Sequence, residues 1–294
     1  MKTCQCFSFS RLALVMKRDW MENWKEHLYT FLGLFFAFII SYLVLMGSYE
    51  DTQYPNLSAY ISNHAEYFLS VSAIAFILYA SFIMKIMQRK ESRLSYLMLP
   101  ATMLEKFVAR GLFITVILFL MVILATLLAE VVHWLFMPMF DLSDELKICV
   151  WPEAWGSILH DINPFQTMKR LASDGEFYDR TLFALYMMMY SLVFWWHSLY
   201  VLGGNIWHKW SWVKTTSALI VISLLMVWTG INFNWVSNAF EGLDKFVDNH
   251  DWFDEQVFCG FLASVFFIFT ALNWWLSYKL FTRSQVIQPK FRLL

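Results

Sequence analysis

The sequence predicts an all-α integral membrane protein. Six transmembrane helices are expected, preceded by an amphipathic helix at the membrane surface and interrupted by one short cytoplasmic helix. Three observations carry this. Of the 294 residues, 59% are hydrophobic and only 15% are charged, whereas ordinary soluble domains carry roughly 25% charge. The apolar residues gather in six long runs, each near the ~20 residues that a bilayer core requires. Seventeen of the 22 Lys and Arg residues fall in alternate connecting segments, while 17 of the 23 acidic residues fall in the others. The excess of basic residues marks cytoplasmic segments, so both termini are expected inside. The net charge of −1 says nothing by itself about partners, and no nucleic-acid partner is expected.

Residues 1–29 form the predicted cytoplasmic amino terminus, with no cleavable signal sequence expected. Within it, Leu12, Met16, Trp20 and Trp24 recur every four residues, with Arg11, Lys17, Arg18, Glu22 and Lys25 on the other side. That pattern predicts a helix whose apolar, Trp-bearing face lies in the inner headgroup layer. The membrane domain covers 30–281, with spans at about 30–46, 68–87, 108–136, 182–202, 212–231 and 257–281. The first, Thr30–Met46, holds eleven Leu, Ile, Phe or Val residues and no charge, which favours insertion by roughly 3–7 kcal/mol.

Gly47–Tyr67 is polar and acidic and is expected to be an outer loop. The third span exceeds the bilayer requirement and is expected to tilt or project. The external loop 137–181 is acidic, with turns at Trp151–Pro152 and Asn163–Pro164. The fourth span is expected to end at Gly203–Gly204. Trp207, Trp210 and Trp212 with Lys209 and Lys214 then form an aromatic belt with basic anchors. An acidic segment, 232–256, precedes the last span, and 282–294 is a cytoplasmic tail.

The most informative stretch is Arg89–Arg110, RKESRLSYLMLPATMLEKFVAR. Leu94, Leu97 and Met98 stand at i, i+3 and i+4, with Arg93 and Ser95 on other faces, which predicts a short amphipathic helix ended by Pro100. Thr102 and Glu105 make a T-x-x-E capping box that starts a helix running into the third span. A basic cluster with a Glu (Arg89, Lys90, Glu91), a short leucine-containing helix (Leu97, Leu99) and a proline (Pro100) follow one another between the second and third spans.

This layout resembles the type 2 family of ABC transporter permeases. The resemblance implies that the short helix is a coupling helix seated in a groove of a separate ATPase subunit, with Arg89, Glu91, Arg93, Leu94, Leu97, Met98 and Leu99 at that contact. It implies that Leu12, Met16, Trp20 and Trp24 lie on a connecting helix that braces the transporter at the membrane surface. It further implies a second permease subunit, identical or similar, and a bacterial cytoplasmic membrane. Ser92 and Arg93 stand where the family often has Gly-Thr, and the loop 137–181 is longer than the family's.

Several activities find no support. There is no G-x-x-x-x-G-K-[ST], so no cofactor is expected on this chain, and ATP with its magnesium would belong to the partner. There is no G-x-S-x-G, H-E-x-x-H or G-x-G-x-x-G, so the chain is not expected to be an enzyme. Cys4-Gln5-Cys6 has no completing ligands nearby, and no metal is expected. Cys149 and Cys259 both map to the predicted outer side, and a disulfide between them stays open.

Glu130 and His133 share one helix face near the outer end of the third span. They are read either as a polar pair at the rim or bundle interior, or as part of a substrate path. A di-iron site would need a second E-x-x-H, which is absent. His197, after Phe194, Trp195 and Trp196, is read as a packing histidine or as a path residue. Asn273, Ser277, Ser191 and Thr229 are mild polar positions within spans, read as hydrogen-bonding between helices. The alternative to a permease is a multi-span scaffold or enzyme subunit acting through its acidic outer loops.

Overall fold

The computed structural model describes residues 7–49, 56–140, 177–207, 209–233 and 255–283, with single positions between 142 and 156 and at 238, 241 and 242. Cys4, Cys6, most of loop 137–181, most of the acidic segment before the last span and the tail from 284 lie outside the described residues. No strand occurs among the described residues. The protein is an all-α membrane protein with six helices long and apolar enough to cross a bilayer, over Phe9–Tyr49, Leu57–Met87, Met103–Met139, Phe183–Ile206, Ser211–Ile231 and Gln256–Thr282. Apolar side chains point outward as well as inward. Phe36, Ile40, Phe119, Leu120, Leu124 and Leu128 are all exposed, as expected where lipid rather than water is the solvent.

The chain divides into two compact units, one of Met1–Tyr79 with Met98–Asn163, the other of Ala80–Leu97 with Pro164–Leu294. In the first unit, helix α1 (Phe9–Tyr49) joins the amphipathic segment to the first span. It is broken at Asn23, whose φ/ψ of −112°/16° is non-helical. The Asn23 amide occupies the Asp19 carbonyl at 3.2 Å and the Asp19 carboxylate at 2.6 Å, which stabilises the break. Beyond it, Leu34, Phe38 and Tyr42 repeat every four residues. They bury against Phe68 of α2 (Leu57–Ala80) and against Leu118, Met121, Val122, Ala125 and Ala129 of α5 (Leu118–Phe136). Ala125 and Ala129 are fully buried, and their small side chains let α1 and α5 approach closely.

A second cluster lies further along the same helices. Leu45, Met46, Tyr60 and Ala65 pack with Met137, Leu142, Leu146 and Val150. Residues 57–67, expected as loop, are therefore helical. Asn56 explains the earlier start: its carbonyl accepts from Tyr60 N at 2.9 Å and its side chain from Ala59 N at 3.1 Å, which caps the helix. Helix α4 (Met103–Leu112) continues through one turn of π-helix at Phe113–Ile117 into α5.

The second unit contains the short helix α3 (Lys90–Leu97) and the helices α6 (Phe177–Ile206), α7 (Ser211–Phe233) and α8 (Glu255–Thr282). Polar groups join α6 to α8: Asn273 donates to Ser198 Oγ at 2.9 Å, and Asn205 donates to Ser277 Oγ. Ser191 and Thr229, read as bonding between helices, instead donate within their own helices to the Met188 and Met226 carbonyls at 2.7 and 3.0 Å. Gly203 and Gly204 do not end the helix; α6 passes through them to Ile206. They allow close approach instead. A Cβ on Gly204 would stand 2.5 Å from the Ser81 carbonyl oxygen, and one on Gly203 would collide with Thr215 of α7. Ser211 secures the same region by donating to the Ser81 carbonyl at 2.9 Å.

Candidate functional site

The site grows from the start of α4. Thr102 is extended and its hydroxyl accepts from Glu105 N at 3.2 Å, while the Glu105 carboxylate accepts from Thr102 N at 2.8 Å. This is the capping box read from the sequence. Glu105 has a second task. Its other oxygen accepts from Ser8 N at 2.7 Å and from the Arg11 guanidinium at 2.8 Å. The buried carboxylate therefore ends two helices at once, capping α4 and receiving the first turn of α1. The Arg11 guanidinium holds the Glu105 carboxyl down at about 2, with the backbone bonds from Thr102 and Ser8 assisting against the cost of burial.

One turn further along α4, Arg110 donates to Asp19 at 2.7 Å, and both are buried. The signs are reversed along the pair of helices: α1 contributes Arg11 and then Asp19, α4 contributes Glu105 and then Arg110. Between them Leu12 and Val15 are buried. The amphipathic segment is thus held to the entry of the third span by two ion pairs and an apolar strip. Trp20, His27 and Phe113 stack with nearly parallel planes, His27 lying 5.1 Å from each neighbour by ring centroid. Phe113 opens the π-helical turn, so the irregular turn is where α4–α5 meets the kinked part of α1.

The brace residues read from the sequence divide between a protein-facing and an outward side. The protein-facing side is Leu12, Val15 and Asp19. Met16 is half-buried, and Trp20 and Trp24 are 46% and 51% exposed. Asp19 captures the buried face because only there does it meet Arg110, whereas the indoles keep the outward side that lipid favours. The short helix α3 also differs. Arg93 and Tyr96 are its buried residues, Leu94, Leu97 and Leu99 are half-buried, and Arg89, Glu91 and Met98 are exposed, Met98 at 76%. Arg93 was expected on another face from the buried one. Its long aliphatic stem allows it to be buried despite its charge.

Glu130 and His133 belong to a different group of residues, at the opposite end of the first unit's helices. His133 Nε2 lies 3.3 Å from Tyr60 Oη, and His64 Nδ1 lies 3.0 Å from the Tyr60 carbonyl. Glu130 accepts from Val150 N at 2.8 Å. The sequence reading missed Tyr60 and His64 because it placed them in a loop. Their spacing of four, continued by Phe68, was the available signal. His197, in the second unit, is buried and stacked on Trp274 at 6.0 Å. Cys149 and Cys259 are both thiols. Among the described residues, no group of three or more His, Cys, Asp or Glu is arranged to hold a metal.

No family model, curated protein or solved structure matches this chain.

Proposed function

We propose that this chain is the membrane-spanning permease subunit of an ABC exporter, working with a separate ATPase subunit and a second permease subunit in a bacterial cytoplasmic membrane, both termini inside. The observation that carries the reading is the junction at Glu105. A short basic helix and Pro100 lead into a capped re-entry, and the same Glu105 side chain ties an amphipathic surface helix to that re-entry. A push delivered near residues 89–99 would pass into α4 and, through Arg11–Glu105 and Asp19–Arg110, into the surface segment of α1. Rigid elements with two packed arrangements suffice for alternating exposure of a substrate path. ATP and magnesium would act on the partner.

Exposed Arg89, Glu91 and Met98 are the residues of this stretch best placed to meet a partner. Buried Arg93 would report folding instead. The test is gentle extraction of the tagged chain from its native membrane and identification of what co-purifies. A Walker-loop ATPase is expected with the wild type and lost in Arg89→Glu/Met98→Asp. Recovery of the chain with no ATPase at all would overturn the permease reading.

A further inference from the structure

Beyond Glu130 and His133, the end of the third span carries a groove that the permease reading does not use. Helix α5 tightens there into one turn of 3₁₀-helix at Met137–Met139, where Pro138 has no N–H to continue the ladder. Met137 turns inward to the cluster of Leu45, Met46 and Tyr60, and Leu142, Leu146 and Val150 return to that same cluster. Val150 N also donates to Glu130 at 2.8 Å. Exposed Lys147 is thereby fixed between two anchored positions, Leu146 and Val150. It borders a groove of about 660 Å³ whose other walls include Trp134, Leu135, Pro138, Met139 and Phe140. That volume is in the range of small-molecule sites, roughly 300–1,000 Å³.

The groove opens onto the lipid-facing side of α5. Leu124, Leu128, Val131 and Leu135 are all exposed, at spacings of four and three that put them on one helix face. At ~1.5 Å per residue the stripe is about 16 Å long, the depth of one leaflet of a ~30 Å hydrocarbon core. Lys147 is the only Lys or Arg in the sequence from 111 to 168. A cation at the end of an apolar stripe one leaflet deep complements a phosphate at the head of an acyl chain. The sequence around Lys147 is otherwise acidic, with Asp141, Asp144, Glu145 and Glu153, which disfavours a headgroup of net negative charge. We propose that this groove binds one zwitterionic phospholipid of the surrounding bilayer, its phosphate on Lys147 and one acyl chain along Leu135, Val131, Leu128 and Leu124. Trp134 suits the headgroup boundary, Met139 adapts its shape to the lipid, and the flexible Lys147 stem carries its ammonium to the phosphate. The lipid joins the segment at Lys147 to the span from outside, as Glu130 joins it from within. The inference needs only the membrane fold and survives failure of the permease reading.

The test is native mass spectrometry of the full chain, delipidated in detergent and titrated with dioleoylphosphatidylethanolamine. One lipid per chain is expected to bind ahead of all others. Dioleoylglycerol keeps the tails without the phosphate, and glycerophosphoethanolamine keeps the headgroup without the tails; each should bind roughly tenfold more weakly or worse. Dioleoylphosphatidylglycerol, with its net negative charge, should also bind more weakly. Lys147→Ala should weaken the first site roughly fivefold, and Trp134→Ala/Met139→Ala roughly tenfold. Lys17→Ala, at the other end of the first unit's helices, should leave it unchanged. Binding of dioleoylglycerol or glycerophosphoethanolamine as tight as that of the whole lipid would overturn the proposal. So would tighter binding of dioleoylphosphatidylglycerol, an unaltered affinity in Lys147→Ala, or an equal loss in Lys17→Ala.

Discussion

Replacing Glu105 by Ala removes one carboxylate but two functions. The capping bond to Thr102 N is worth about 1 kcal/mol. The charge-assisted bonds from Arg11 are worth about 1.5–3 kcal/mol, and the lower end applies because the Arg11 side chain is 32% exposed. The sum is about 2.5 kcal/mol, or a little under a hundredfold in an equilibrium constant. That loss should appear locally. Residues 9–22 lie beyond the break at Asn23, so they can detach while α5 keeps its packing against Leu34, Phe38 and Tyr42. Hydrogen exchange in nanodiscs should therefore accelerate about a hundredfold over 9–22, with residues 118–136 unaffected. Unchanged protection in 9–22, or equal losses in both regions, would refute the assignment of Glu105 as the point of attachment.

Three further outcomes follow from the same geometry. Because Glu105 is held at about 2, below its unfolded value, its contribution is complete above about pH 4.5 and declines as pH falls towards 2. Limited pepsin digestion should release the first helix across that window in the wild type, while Glu105→Gln shows no such transition. Asp19→Ala leaves the buried Arg110 charge without its carboxylate and should cost about 3–5 kcal/mol. Asp19→Ala/Arg110→Met should recover much of this, as measured by thermal unfolding in detergent. Gly204→Ala drives a Cβ to 2.5 Å from a backbone carbonyl and should lower the unfolding temperature. Gly33→Ala meets nothing within 4 Å and should be neutral or stabilising by up to about 1 kcal/mol.

Local signals in the sequence were read well where the answer was also local. The Thr102–Glu105 box depends on residues three apart, and the apolar runs define six helices by length alone. The second partner of Glu105 was not legible, because Arg11 is distant in sequence and a carboxylate carries no mark of which guanidinium it will meet. The burial of Asp19 was illegible for the same reason. Periodicity turned the stripe with Trp20 and Trp24 towards the headgroup layer, but it gave no sign that Leu12 would be buried beside an acidic Asp19. Gly203–Gly204 misled in another way. In soluble sequences a glycine pair breaks helices, whereas here the missing side chains make room for Ser81 and Thr215. Tyr60 and His64 were lost to an acidic, polar composition around them, although Asn56 and the spacing of four were present.

The bonds from Ser8 and Arg11 to Glu105 span 97 and 94 residues, and that from Arg110 to Asp19 spans 91. At about 5–20 residues per second, the partners of the first helix leave the ribosome roughly 5–20 seconds after it does. For that interval the helix exists as an orphan, with exposed indoles on one side and charges on the other. A membrane surface is the one receptive environment for it during that wait. The outward placement of Trp20 and Trp24 then has meaning during birth as well as in the finished molecule. It keeps the segment parked on the bilayer, in reach of the third span, until Glu105 and Arg110 arrive to claim it.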